Sequence, residues 1–334
     1  MTHRTKVRTE EARRPQSLRA IDQKDSTMTT ASTPPAFEGG RQPFWNSERM
    51  GALLADVGRL RPVGSTGLIG LDGLLGGGLA PGVYILAGEP GAGKSSLALQ
   101  VADYSAQFGT RGCVFASLEM GASQLVCKSL TRMSAGMHEN PLAFGEIAAL
   151  MPRLGSGESG RAAMLAETVE AYMSNIAPAL STQDAVGTVS SISALYDSLP
   201  GGELPPVLVL DYVQVVGREK NDAGATDVQA LSAVMKGLCS LSKRHGIPVL
   251  ALSSQNRGKR GTAVLDSLAG CSELEYSATA VMFLSVDGAG AEERRDNAEA
   301  DPRPVTLTVA KNRFGALGSV PLWFFPSQSR FIER

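Results

Sequence analysis

Eight residues, GEPGAGKS at 88–95, constrain this chain more than any other stretch. They fit the pattern G-x-x-x-x-G-K-[ST], with Gly88, Gly93, Lys94 and Ser95 at the defining positions and Glu89, Pro90, Gly91 and Ala92 between them. Glycines let a backbone turn tightly enough for successive N–H groups to point at one phosphate. A helix leaving such a loop adds its free N-terminal N–H groups and the positive end of its dipole. The apolar run VYILA at 83–87 reads as a buried strand entering the loop, and 96–107, beginning at Ser96, reads as the helix leaving it. Lys94 is then placed to reach the β- and γ-phosphates of a nucleotide, and the Ser95 hydroxyl to ligate Mg²⁺. ATP and Mg²⁺ are the expected cofactors.

At 334 residues the chain can hold one large α/β domain with an appendage, or two small domains. A hydrophobic share of 43% with 19% charged residues suits a soluble protein with a sizeable core. The net charge of −1 provides no overall basic field, so nucleic acid would have to be gripped by local patches. Aromatics at 5% argue against an extended base-stacking platform. Cys113, Cys127, Cys239 and Cys271 form no C-x-x-C pair and read as thiols of a reducing compartment. His3, His138 and His245 are isolated, which argues against structural zinc. No apolar run approaches the ~20 residues of a membrane span, and the N-terminus lacks a signal-peptide core. The expectation is a cytoplasmic protein with no membrane association.

Residues 1–45 are rich in Thr, Arg, Ser, Glu and Pro without hydrophobic period, and read as a disordered polar tail. Met28 within it is an alternative start. Residues 46–334 read as the ATPase domain. Its entry, LDGLLGGGLAPG at 71–82, is a short apolar helix, a triple-glycine turn and a proline turn. Strands are expected at 112–118, 176–180, 207–210, 248–252, 280–285, 305–310 and 320–325. Helices are expected at 122–133 and 186–199, and another carries Val228, Leu231, Met235 and Leu238 as a core-facing stripe. The stretch 136–175, broken by Gly and Ser at 155–160, reads as an irregular surface insertion. Strands alternating with helices imply an α/β fold with a mostly parallel central sheet and right-handed crossovers. Ligands of such sheets bind at the carboxyl ends of the strands.

The polar residues at those ends are the candidate chemistry. Asp211 closes the apolar run VLVL and is placed to hold Mg²⁺ opposite Ser95. Glu119, at the end of the strand before the next helix, is placed to take a proton from water attacking the γ-phosphate. Gln255, ending the strand at 248–252, is positioned to sense that phosphate. The loop after it carries Arg257, Lys259 and Arg260, which suit either a grip on a phosphate backbone or plain solvation. Lys311 and Arg313 lie two apart on a strand and so share one face. They read either as an exposed strand edge or as cations that stabilise transition-state charge in a neighbouring subunit.

ASLEM at 116–120, LDYVQ at 210–214, ALSSQNR at 251–257 and AKNRFG at 310–315 resemble, in order and spacing, the C-terminal ATPase domain of DnaB-type replicative helicases. The resemblance covers roughly residues 60–334, and SLEM is its most specific motif. It implies a RecA-like P-loop NTPase fold, a hexameric ring of identical subunits, and ATP-driven movement on single-stranded DNA. It also implies replication or mobile-element proteins as partners. By the same resemblance Glu119 is the catalytic base, Lys94 and Ser95 serve phosphate and Mg²⁺, Asp211 is the Walker B carboxylate, Gln255 is the sensor, and Lys311 and Arg313 act in trans. Three departures stand beside it. A short polar tail is expected where the family has a helical N-terminal domain that helps build the ring and recruit primase. The loop SLAGCSE at 267–273 lacks the cations of the family's DNA loop. The helix TVSSISALYDSL at 188–199 lacks the family's arginines. An accessory, phage- or plasmid-type member fits these departures better than a housekeeping one. A RecA/RadA-like recombination or repair ATPase, and a nucleotide-gated DNA-binding switch without unwinding, are the alternatives.

Overall fold

The computed structural model describes residues 50–51, 53–54, 57, 61–109, 111–154, 160–183, 187–199, 205–217, 225–255 and 272–334. The chain divides into two units, Met1–Leu54 and Ala55–Arg334. Of the first, Met50, Gly51, Leu53 and Leu54 are described and are helical, so the tail at 1–45 lies outside the described residues.

The second unit opens with α1 (Ile69–Leu74), followed by the triple-glycine turn, in which Gly76, Gly77 and Gly78 all take positive φ, as expected. β1 (Gly82–Gly88) enters the phosphate loop and α2 (Lys94–Phe108) leaves it. Next come β2 (Cys113–Ser117), α3 (Ala122–Met137), α4 (Phe144–Leu150), α5 (Arg161–Asn175), β3 (Leu180–Gln183) and α6 (Val189–Asp197). β4 (Val207–Asp211), α7 (Asp227–His245), β5 (Pro248–Ser254), α8 (Ser272–Ser277) and β6 (Ala280–Val286) complete the alternating part. α9 (Ala291–Glu299) then leads into β7 (Arg303–Asn312), β8 (Gly318–Phe325) and β9 (Arg330–Glu333).

Among the described residues, nine strands form one sheet in the order β3-β2-β4-β5-β1-β6-β7-β8-β9. Strands β3 to β6 in that order are parallel, and β7, β8 and β9 are added antiparallel to the β6 edge. The inner parallel strands are buried and largely apolar because both faces are covered, whereas β3 at the sheet edge, Leu180–Gln183, is partly polar and not buried. Tyr84 and Leu86 pack with Leu97 and Val101 of α2, while Val83 and Ile85 pack with Leu231 and Met235 of α7. β8 instead alternates, with Val320, Leu322 and Phe324 inward and Trp323 outward, as suits a sheet wet on one side.

Three expectations are corrected. Residues 136–175 are not irregular: they contain the whole of α4 and α5, held by an apolar cluster of Leu130, Leu142, Ile147, Leu165 and Tyr172. The Gly- and Ser-rich break hid the helical spacing on either side of it, and 155–159 lie outside the described residues. β3 lies at Leu180–Gln183 and not 176–180, because Ile176 is the C-cap of α5 and packs in that cluster. Val228 is 53% exposed, so the inward stripe of α7 runs through Leu231, Val234, Met235, Leu238 and Leu241.

Candidate active site

Eight of the predicted residues meet at the carboxyl ends of β1, β2 and β4. Lys94, Ser95, Glu119 and Asp211 line one cleft of about 530 Å³, together with Pro90, Gly91, Gly93 and Ser96. The Lys94 ammonium donates to the carbonyls of Gly88 at 2.9 Å and Glu89 at 3.0 Å, which curls the loop around its own side chain. Burial pushes its pKa down, against the opposing pull of Asp211, Glu119 and Glu89. Gly93 has φ 99°, and a Cβ there would meet Phe331 at 2.8 Å and Phe324 at 2.9 Å, so the last loop position admits no side chain.

Asp211 is 2% exposed and accepts a hydrogen bond from the Ser95 hydroxyl. Burial raises its pKa first; the Ser95 bond and the cations Lys94 and Lys128 work the other way. Its Oδ2 is buried without a hydrogen-bond partner among the described residues. A buried, unpaired carboxylate oxygen beside a serine hydroxyl is a hard oxygen donor pair of the kind that holds Mg²⁺, so the donor set fits that ion. Glu119 is exposed at the cleft mouth, where solvent can reach it. Gln255, one residue beyond β5, is 6% exposed; its neighbour Ser254 lines the cleft, and Ser253 accepts a bond from Gln214 at 2.7 Å.

Lys311 and Arg313 lie elsewhere. Lys311 is on β7, where a bulge leaves Ala310 unpaired opposite Val281 and Met282, and Arg313 follows one residue past the strand end. Both donate to the Tyr276 carbonyl at the end of α8, and Lys311 also to Glu275. The backbone N–H of Arg313 bonds Thr279, which in turn bonds Val83, so Arg313 sits five strand residues below Gly88. That is about 17 Å at ~3.3 Å per residue, beyond the reach of an arginine side chain. The pair therefore lies at the amino-terminal ends of the parallel strands, the opposite end of the sheet from its own phosphate loop. Arg257, Lys259, Arg260 and 267–271 lie outside the described residues; Ser272 begins α8.

Several cleft residues were not predicted. Lys128, on the face of α3 toward α2, donates to Ser96 Oγ at 3.1 Å. Its helical spacing from Gln124 and Arg132 was the available signal. Arg303 donates to the Gly91 carbonyl at 2.7 Å across 212 residues of chain, and lies 5.5 Å from the Phe324 ring centroid. Phe324 stacks on Phe331 with centroids 4.3 Å apart, and Phe324 and Pro326 form the apolar end of the cleft. No local pattern marks these residues.

The model of the DnaB-like helicase C terminal domain matches residues 64–333. The chain belongs to the DnaB-like helicase C-terminal domain family. Among relatives of this family, the replicative DNA helicase DnaB of Rickettsia bellii is 29% identical, over 80% of this chain and 57% of the relative. The replicative DNA helicase DnaC of Bacillus subtilis is 26% identical over 80% of this chain and 56% of the relative. A probable plasmid replicative DNA helicase of Chlamydia trachomatis is 26% identical over 76% of this chain and 51% of the relative. The chain thus spans little more than half the length of these relatives. The solved ATPase domain of G40P superposes with a TM-score of 0.70 at 19% identity, covering 88% of this chain and 100% of that one. A DnaB-like replicative helicase, solved in a study of its interactions with primase, gives 0.69 at 20% identity, covering 86% of this chain and 68% of that one. The fold is the RecA-like α/β fold of these ATPase domains. Family membership favours the DnaB-like reading over a RecA/RadA-like recombinase. No described helix is long and apolar enough to cross a membrane.

Proposed function

We propose that this chain is the ATPase core of a ring-forming motor that hydrolyses ATP between adjacent copies while moving along single-stranded DNA. The observation that carries the proposal is the separation of two half-sites. Lys94, Ser95, Glu119 and Asp211 converge in one cleft at the carboxyl ends of the parallel strands, whereas Lys311 and Arg313 lie at their amino-terminal ends. A head-to-tail neighbour would bring the second half to the first, and such an interface makes a ring when the rotation between copies closes.

In the composite site Glu119 takes a proton from water as the water oxygen attacks the γ-phosphorus. The bond to the β–γ bridging oxygen breaks, and ADP leaves with that oxygen. Lys94 holds the β- and γ-phosphates, with the backbone of 88–93 and Ser96 around them. Mg²⁺ held by Ser95 and Asp211 would neutralise charge developing on the phosphate oxygens. Gln255 responds to the γ-phosphate and leads directly into the cationic stretch Arg257, Lys259 and Arg260, which would meet the DNA backbone. Lys311 and Arg313 from the neighbour stabilise the transition-state charge. A cytoplasmic setting and replication or mobile-element proteins as partners belong to the same reading.

The test is steady-state ATP hydrolysis with and without single-stranded DNA. DNA is expected to stimulate the wild type, and Glu119→Gln and Arg313→Ala each to lose most turnover, Arg313→Ala by roughly 10³-fold or more. Mixing the two variants should restore part of the rate, because an intact Glu119 then meets an intact Arg313 from the other copy. If ATP binds but DNA leaves the rate unchanged, the motor reading fails and a nucleotide-gated switch replaces it.

A further inference from the structure

α3 runs alongside the cleft and contributes Lys128 to its lining. It starts beside Glu119 and reaches, at its far end, the turn that follows Phe324: Arg132 donates to the Ser329 carbonyl at 2.8 Å, and Arg330 to the Ala135 carbonyl at 3.0 Å. Lys128 lies between these ends and lines the cleft. Among the described residues no carboxylate lies within ion-pairing distance of its ammonium; its hydrogen bond is to Ser96 Oγ at 3.1 Å. Arg132, one turn further, is committed to Asp103.

On the nucleotide reading above, the terminal phosphate would lie near Glu119 and the nucleoside toward the apolar lining residues Phe324 and Pro326. Lys94 serves the β- and γ-phosphates at the centre. The α-phosphate then falls between centre and apolar end, beside Ser96 in the first turn of α2, where the helix N–H groups are free. We propose that Lys128 binds a non-bridging oxygen of the α-phosphate, swinging from Ser96 Oγ or bridging to it. This inference rests on the nucleotide reading above and adds to it a second cation, supplied by α3 and not by the phosphate loop. Because ADP and ATP share the α-phosphate, Lys128 contributes equally to both, which separates it from groups that recognise the γ-phosphate.

The experiment uses the full chain as wild type, Lys128→Met and Lys128→Arg, with binding of ADP, a non-hydrolysable ATP analogue, and the Sp and Rp forms of ADP carrying sulfur on the α-phosphorus. Lys128→Met should weaken ADP and the ATP analogue by the same factor, about tenfold, as expected for loss of a charge-assisted hydrogen bond. The wild type should prefer one sulfur diastereomer, and Lys128→Met should reduce that preference to less than twofold, while Lys128→Arg keeps most of it. A purely structural lysine would lower the melting temperature of the nucleotide-free protein and leave the diastereomer preference intact, and that result overturns the proposal. So would a wild type without preference, or a loss confined to the ATP analogue. A wild type that binds neither nucleotide would instead remove the nucleotide reading itself.

Discussion

Asp211 shows how a single residue carries the cost of readiness. Its carboxylate lies at 2% exposure, and burial holds its pKa above the ordinary carboxylate value. A carboxyl whose folded pKa is raised favours folding when protonated, and that contribution is lost as pH climbs through the folded pKa. Burial thus disfavours the charged form of this carboxylate in the nucleotide-free protein, and a bound cation would offset that. Asp211→Asn should accordingly melt higher than wild type without nucleotide, by roughly 2–4 °C for each kcal/mol relieved. The same variant should lose the additional rise that Mg²⁺ and ADP together give the wild type. Thermal melts with and without Mg²⁺–ADP check both halves; a lower apo melting temperature would contradict this account. This residue was legible in the sequence, since an apolar run ending in a carboxylate after a phosphate loop has few other readings.

The interface of α2 and α3 is decided by a buried polar network. Arg132 and Asp103 form an ion pair with side chains 11% and 7% exposed, and Ser129 Oγ donates to the same carboxylate at 3.0 Å. Burial pushes the Asp103 carboxyl up, and the Arg132 charge and hydrogen bonds pull it back. Arg132→Ala leaves that charge buried without its cation and should cost about 3–5 kcal/mol, whereas Asp103→Leu with Arg132→Met should cost far less. Urea unfolding of the three proteins measures this. The deficit of Arg132→Ala should shrink as pH falls, because protonation removes the unpaired charge. Neither partner was singled out from sequence, because 29 residues separate them and only the packing of two helices joins them. The helices α4 and α5 were missed for a related reason: their apolar residues read as a core only when they face α3.

At the scale of the whole molecule, the last strand supports the first loop. Phe331 is buried, stacks on Phe324 beneath Gly93, and its backbone exchanges hydrogen bonds with the Gln100 side chain of α2 at 2.7 and 2.9 Å. Phe331→Ala should therefore lower stability by roughly 3–5 kcal/mol, within the range for aromatic truncation in a core. It should also weaken ADP binding, because the phosphate loop loses its backing. A melt paired with an ADP titration checks the coupling; loss of stability with unchanged affinity would break it. The same scale explains Lys311 and Arg313, whose motif was legible while their distance from the phosphate loop was not. That distance follows from β7 running antiparallel to β6, which returns the chain to the amino-terminal end of the parallel strands.

The sequence by itself determined the phosphate loop, its strand and helix, the carboxylates that follow β2 and close β4, and the parallel α/β order. Each of these is encoded within a few adjacent residues, where glycine geometry and apolar runs leave little freedom. Tertiary structure alone decided that Arg303 and Phe324, backed by Phe331, wall the cleft, where Lys128 sits, and how far Lys311 and Arg313 lie from the phosphate loop. Those depend on residues distant in the chain that meet only when the sheet closes its order, and local propensity carries no record of such meetings.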